Sequence, residues 1–205
     1  MKSICYFVNE ICTSFVINDL RKIAEQYEIV YLFSVDKLQG KEKLPNNVTV
    51  FEEFMDWKSF RPIKIFLVNF FSILSAYSVE CMMLKKILPP KRSLSLLVSN
   101  IYKAESAISK LPKNFEGTFY SFWFYDCIFL AWLKKNRTVK KAITRTHGGD
   151  LFEERGSLKR KILFRNFQLK HLDYVFSVSE AGTQYLRKKY PSFAHKIKTL
   201  FLGSP

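Results

Sequence analysis

Apolar residues follow two rhythms along this chain. Short, nearly continuous apolar blocks alternate with longer stretches in which apolar residues recur every three or four positions. The blocks read as strands buried on both faces, and the longer stretches as helices with one buried face. Predicted strands fall at residues 3–8, 29–33, 48–51, 117–123, 141–146, 174–178 and 197–202. The stretch 16–26 sets Val16, Ile17, Leu20, Ile23 and Ala24 on one helical face. Residues 57–111 read as mostly helical, broken at Pro62 and at Pro89–Pro90, with 102–111 as a separate helix ended by Pro112. Further helices are predicted at 126–135, at 159–172, and from a Ser179 cap to Tyr190, where Pro191 stops the last one.

Strands separated by helices predict an α/β fold: a Rossmann-like parallel sheet with helices on both faces. In such sheets ligands bind beyond the carboxyl ends of the strands. The informative residues are then those just after strands, at 9–14, 122–126, 147–150 and 179–180.

Composition adds to this picture. A chain of 205 residues with 48% hydrophobic content fits one domain, or one lobe of a larger enzyme. Its 20 Phe and 10 Tyr exceed the needs of a core, so some aromatic surface is expected to face a partner, a lipid or another domain. Residues 63–84 approach the length of a membrane span, but Lys64, Asn69, Glu80 and several serines interrupt them. That segment reads as a buried or interface-lying helix. The apolar run at the N-terminus is too short for a signal peptide and reads as the first strand.

Charge is uneven. The formal net charge is +15, and residues 134–205 hold 17 Lys and Arg against 5 Asp and Glu. A basic half implies an anionic partner: membrane head groups, phosphorylated ligands or nucleic acid. Among Cys5, Cys12, Cys81 and Cys127 there is no CxxC pair, and Cys5 and Cys127 lie in apolar runs, as buried free thiols do. This argues for a reducing compartment and against a disulfide framework. His147, His171 and His195 are too scattered for a metal site, and no metal or cofactor is expected. The chain has no G-x-S-x-G elbow, no P-loop, and no RNP, zinc-finger or basic-zipper signature.

One stretch carries more. Residues 144–155 read TRTHGGDLFEER, and residues 172–180 read LDYVFSVSE. Together with Gly182, Tyr185–Leu186, Tyr190–Pro191 and Leu202–Gly203, their order and spacing resemble bacterial family-four glycosyltransferases over residues 117–205. In the first third only Phe15-Val16, Asn18-Asp19-Leu20 and the strand order agree.

The resemblance implies a GT-B enzyme with two Rossmann-like domains and a cleft between them. It makes residues 1–205 a single N-terminal, acceptor-side domain, with the donor-gripping C-terminal domain lying beyond it. The implied reaction passes a sugar from a nucleotide-sugar donor to a lipid-linked or polysaccharide acceptor with retention, in cell-surface polysaccharide (capsule) assembly. Such enzymes need no protein nucleophile, because the leaving phosphate takes the acceptor's proton. The nucleotide sugar is a substrate, so no cofactor is implied. The resemblance sets His147 near the donor sugar or its phosphate.

The residues themselves fit that role. His147 ends a strand, and Gly148 and Gly149 let a ligand approach backbone N–H groups. Arg145 and Arg155 would add positive charge near a diphosphate, or pair with Glu153 and Glu154. Asp150 is either a substrate contact or a cap, and Glu180 is a further candidate contact. The family's glycine-rich turn after the first strand is absent, and Thr13 and Ser14 offer hydroxyls in its place. The expected setting is cytoplasmic, peripheral to the inner face of the cell membrane. There each nearby Lys or Arg adds about 1 kcal/mol of attraction to anionic lipid. The alternative is a basic nucleic-acid-binding or membrane-surface module without catalysis, although no sequence-specific nucleic-acid contact is expected.

Overall fold

The computed structural model describes residues 2–8, 14–38, 44–84, 90–137, 139–152 and 164–201, with the side chains of Ser14 and residues 79–92 left aside. Seven strands form one all-parallel sheet in the order β3-β2-β1-β4-β5-β6-β7. They are β1 (Ser3–Val8), β2 (Ile29–Ser34), β3 (Val48–Phe51), β4 (Thr118–Ser121), β5 (Lys141–Thr146), β6 (Tyr174–Ser177) and β7 (Ile197–Thr199). Among the described residues eight α-helices connect them: α1 (Ser14–Ala24), α2 (Pro62–Val68), α3 (Phe70–Leu84), α4 (Pro90–Ser109), α5 (Ile128–Asn136), α6 (Gly148–Leu151), α7 (Arg165–His171) and α8 (Glu180–Lys189). This is the Rossmann-like α/β fold that the two rhythms predict.

The pleat sorts side chains into two cores. On one face Ile4, Tyr6, Leu32, Tyr120 and Phe122 meet Val16 and Leu20 of α1. On the other, Cys5, Phe7, Phe33, Phe119 and Val175 meet helices α3, α4, α5, α7 and α8. Phe7 anchors this larger core: its ring stacks on Phe33 at 4.9 Å and meets Phe129 edge-on at 4.8 Å. Removing that ring would cost about 3–5 kcal/mol. Cys5 and Cys127 are buried free thiols, and burial pushes the Cys127 thiol up to about 12, so it stays protonated and inert.

Several boundaries differ from the sequence expectation. Residues 102–109 continue α4, because Pro90 starts that helix and nothing breaks it before Ser109. The segment 159–172 contributes α7 from Arg165 onward, and its first part lies outside the described residues; the strand expected at 197–202 ends at Thr199, with Leu200 and Phe201 outside it and Leu202 beyond the described residues. β4 ends at Ser121, and residues 124–126 turn as a 3-10 helix instead of extending the strand.

The long apolar segment divides at Asn69. The side-chain amide of Asn69 and its backbone N–H both donate to the Ile65 carbonyl, each at 3.0 Å, and α3 starts afresh at Phe70. No described helix is long and apolar enough to cross a membrane.

Candidate functional site

The strand order has one reversal. The chain steps from β1 outward to β2 and β3, then crosses back to β4 and proceeds to β7 on the other side. At such a switch point the loops after neighbouring strands part and leave a crevice at the carboxyl ends of the central strands. The switch point here lies between β1 and β4, with β5 next to β4. The Phe122 N–H still bonds the Phe7 carbonyl at 3.0 Å, and Trp123 then leads into the short helical turn Phe124–Asp126. β5 ends at Thr146, and His147 caps α6.

Asp150 ties the two loops together. Its Oδ1 accepts from the Thr146 hydroxyl at 2.8 Å and the His147 N–H at 2.6 Å. Its Oδ2 accepts from the N–H groups of Phe124 at 2.6 Å and Tyr125 at 3.4 Å. Arg165 donates to the Asp150 carbonyl at 2.8 Å and lies 3.6 Å above the Phe124 ring. A buried carboxylate holding four donors is a capping group, the second of the two readings the sequence leaves open.

His147 sits in an aromatic box. Its ring stacks on Phe122 at 4.5 Å, with Trp123 at 4.8 Å and Phe15 at 6.2 Å. One ring nitrogen bonds the Phe122 backbone, while Nε2 is buried with no partner among the described residues. Burial lowers its pKa below the ordinary 6.5, against the opposing pull of Asp150 and with a further push from Arg145. His147 is therefore a neutral imidazole at pH 7, with one buried ring nitrogen that no described residue satisfies.

Behind His147 lies a second polar layer. Arg145 forms a buried ion pair with Asp19 of α1, whose other oxygen accepts from Tyr6 at 3.0 Å and Tyr120 at 3.1 Å. Tyr6 and Tyr120 pair in register on β1 and β4. Burial first, and then the Asp19 charge, raise both phenols well above 10, so both keep their protons. Among the described residues Arg145 thus pairs with Asp19. Glu153, Glu154 and Arg155 lie outside the described residues. The layer pins α1 to the sheet directly under the crevice.

The glycines divide into two kinds. A Cβ on Gly182 would fall 2.3 Å from Ser177 Oγ and 2.5 Å from Leu151 Cδ2, so Gly182 is what lets α8 approach α6. A Cβ on Gly148 or Gly149 would meet nothing within 4 Å, and neither residue needs a left-handed φ. Nothing inside the described fold demands glycine at these two exposed positions.

The remaining candidates spread around this centre. Ser14 opens α1 at the crevice, and Thr13 lies outside the described residues. Glu180 begins α8 one strand further along and accepts from the Thr199 hydroxyl at 2.6 Å, while Ser179 caps that helix through the Gly182 N–H. Sequence reasoning missed the aromatic box and the tyrosine pair. Their signal was present: Tyr6 and Tyr120 each place a phenol in a short strand run, and Phe122 and Trp123 open the interval 122–126 after one of those strands. Among the described residues no group of three or more His, Cys, Asp or Glu is gathered to hold a metal ion. No model of a known protein family matches this chain, and no curated protein matches it.

Proposed function

We propose that this chain is the acceptor-side lobe of a retaining, GT-B type glycosyltransferase. In this reading a sugar passes from a nucleotide donor to a hydroxyl of a lipid-linked saccharide. The observation that carries the reading is His147: a buried, neutral imidazole whose Nε2 has no partner among the described residues, held beside the topological switch point and two glycines that the described fold does not require. The motif resemblance centred on those residues supports it.

Each residue then has a defined part. His147 hydrogen-bonds the donor's sugar or phosphate without bringing a charge of its own. Gly148 and Gly149 present backbone N–H groups where a side chain would obstruct. Asp150 positions His147 and the loop after β4, and Asp19–Arg145 holds the floor of the crevice. In the transfer the bond between the anomeric carbon and the diphosphate oxygen breaks, the acceptor oxygen bonds that carbon on the same face, and the departing diphosphate takes the acceptor's proton. The resemblance assigns the donor's grip to a second lobe facing this crevice.

The test is transfer by the intact gene product from a panel of radiolabelled sugar nucleotides into a lipid extract, beside a His147→Ala variant. Label moving to lipid from one donor, with a loss of about 100-fold or more in the variant, supports the reading. No transfer from any donor, or full activity in the variant, overturns it.

A further inference from the structure

The segment 62–76 carries two apolar stripes. Ile65, Ile73 and Ala76 are buried against the fold, while Ile63, Leu67, Phe71 and Leu74 repeat the same helical spacing two residues out of step. This second stripe is bare: Ile63 is 75%, Leu67 66% and Phe71 83% exposed, and Val68 widens it at 73%. Single exposed apolar residues are ordinary, but a contiguous stripe marks a docking surface.

Its place in the fold identifies what docks. Asn69 donates to Glu105 in the last turns of α4, and Ser72 donates at 2.8 Å to Asn136, the last residue of α5. Both helices lead into the starts of strands, so the stripe lies toward the amino ends of the sheet, away from His147. Cations collect there. In a parallel sheet every returning helix ends at the amino side, and four of these helices end on basic residues: Arg21 and Lys22 in α1, Lys134 in α5 beside Lys135, whose ammonium is buried, Lys170 in α7, and Arg187, Lys188 and Lys189 in α8. Exposed Lys58, Arg61 and Lys64 flank the stripe on one side, and exposed Arg137 follows Asn136 on the other. Of the acids nearby, Asp173 is paired with Lys134 at 3.0 Å, while Asp56 accepts from the Lys58 N–H and Glu105 from the Asn69 amide and both keep their charge.

We propose that α2 and the start of α3 lie in the surface of an anionic lipid bilayer, with the basic helix ends of the sheet's amino side set against its head groups. A bare apolar stripe between rows of cations matches a bilayer surface in both of its chemistries. Nucleic acid satisfies the cations and leaves the stripe wet. A second copy of the chain covers the stripe and sets cation against cation. The inference rests on surface chemistry and not on sugar transfer, so a chain that binds vesicles and transfers nothing keeps this inference and loses the proposed function.

The test is sedimentation of the full chain with vesicles of phosphatidylcholine alone or mixed with phosphatidylglycerol, at physiological salt. The wild type is expected to pellet with the mixed vesicles only. Replacing two exposed side chains, Leu67→Ser with Phe71→Ser, is expected to weaken binding about tenfold or more. Lys64→Ala and Arg137→Ala are each expected to weaken it about fivefold. Unchanged near-ultraviolet circular dichroism checks that each variant is folded. Wild type left in the supernatant overturns the proposal, and so does a double variant that binds like wild type. A wild-type dimer in sedimentation velocity that the double variant abolishes, without vesicle binding, assigns the stripe to a second copy instead.

Discussion

The two ends of the sheet handle charge in opposite ways. At the carboxyl ends, the charges are answered from within: Arg145 by Asp19, Asp19 by two tyrosines, and Asp150 by four donors. At the amino ends, cations cap carbonyls and still carry net charge outward. Lys196 donates to the carbonyls of Leu169, Lys170 and Leu172, Lys134 to those of Val139 and Lys140, and Arg187 to that of Ile197. The parallel topology explains the division. Helix N-termini gather at the carboxyl side, where Asp150 and Glu180 fall in first turns, and helix C-termini gather at the amino side, where Lys and Arg complement the dipole. One end is built for fixed geometry and the other for attraction.

The sharpest way to break that contrast is at the carboxyl end. Asp19→Ala leaves the Arg145 guanidinium buried without its counter-charge, and is expected to cost about 3–5 kcal/mol in urea unfolding. The double variant Asp19→Leu with Arg145→Met should recover much of that loss, because no charge is then stranded. Removing a cation at the amino end, as in Lys188→Ala, should change stability by less than about 0.5 kcal/mol. Equal costs at both ends would dissolve the distinction.

Gly182→Ala comes next. Its Cβ meets Ser177 and Leu151 at closest distances of 2.3 and 2.5 Å, so α8 must move off α6. The expected cost is about 1–3 kcal/mol, read as a lowered melting temperature.

A smaller effect is read by pH. His171 packs on Phe167 at 4.8 Å, and burial first, then Lys135, Lys170 and Lys196, lower its pKa to about 4. The unfolded imidazole takes a proton near 6.5 while the folded one resists. Stability present above pH 6.5 is therefore lost as pH falls toward 4. With the ring partly exposed the loss is about 1 kcal/mol. His171→Gln should flatten this part of the stability profile measured by denaturant titration. His147, whose pKa is also lowered, adds a loss of the same sign.

The fold was legible because strand and helix periods differ strongly in this chain, and a parallel sheet buried on both faces writes continuous apolar blocks such as SICYFV. Strand ends and the junction inside α4 were less so, since a proline that opens a helix and one that closes it look alike without the backbone. At the site, His147 and its glycines stood out by residue type and place. The partners that give His147 its state did not. Asp19 lies 126 residues from Arg145, and Tyr6 and Tyr120 become neighbours only once β1 pairs with β4. The bare stripe was visible as excess apolar content. That its cations come from separate helix ends follows only from the topology.

The smallest expected change in stability separates structure from function at the crevice. Gly148→Ala and Gly149→Ala each place a methyl group in open space, in a helical turn where alanine is favoured over glycine by about 0.5–1 kcal/mol. Both variants should melt at or slightly above the wild-type temperature. If backbone N–H groups here meet a ligand at close range, the same methyl groups stand in its way, and sugar transfer by the intact gene product falls in a protein that is more stable, not less. Gly182→Ala, by contrast, loses stability and activity together. Undiminished transfer in both Gly148→Ala and Gly149→Ala would make the glycines a turn and nothing more, leaving His147 to carry the crevice alone.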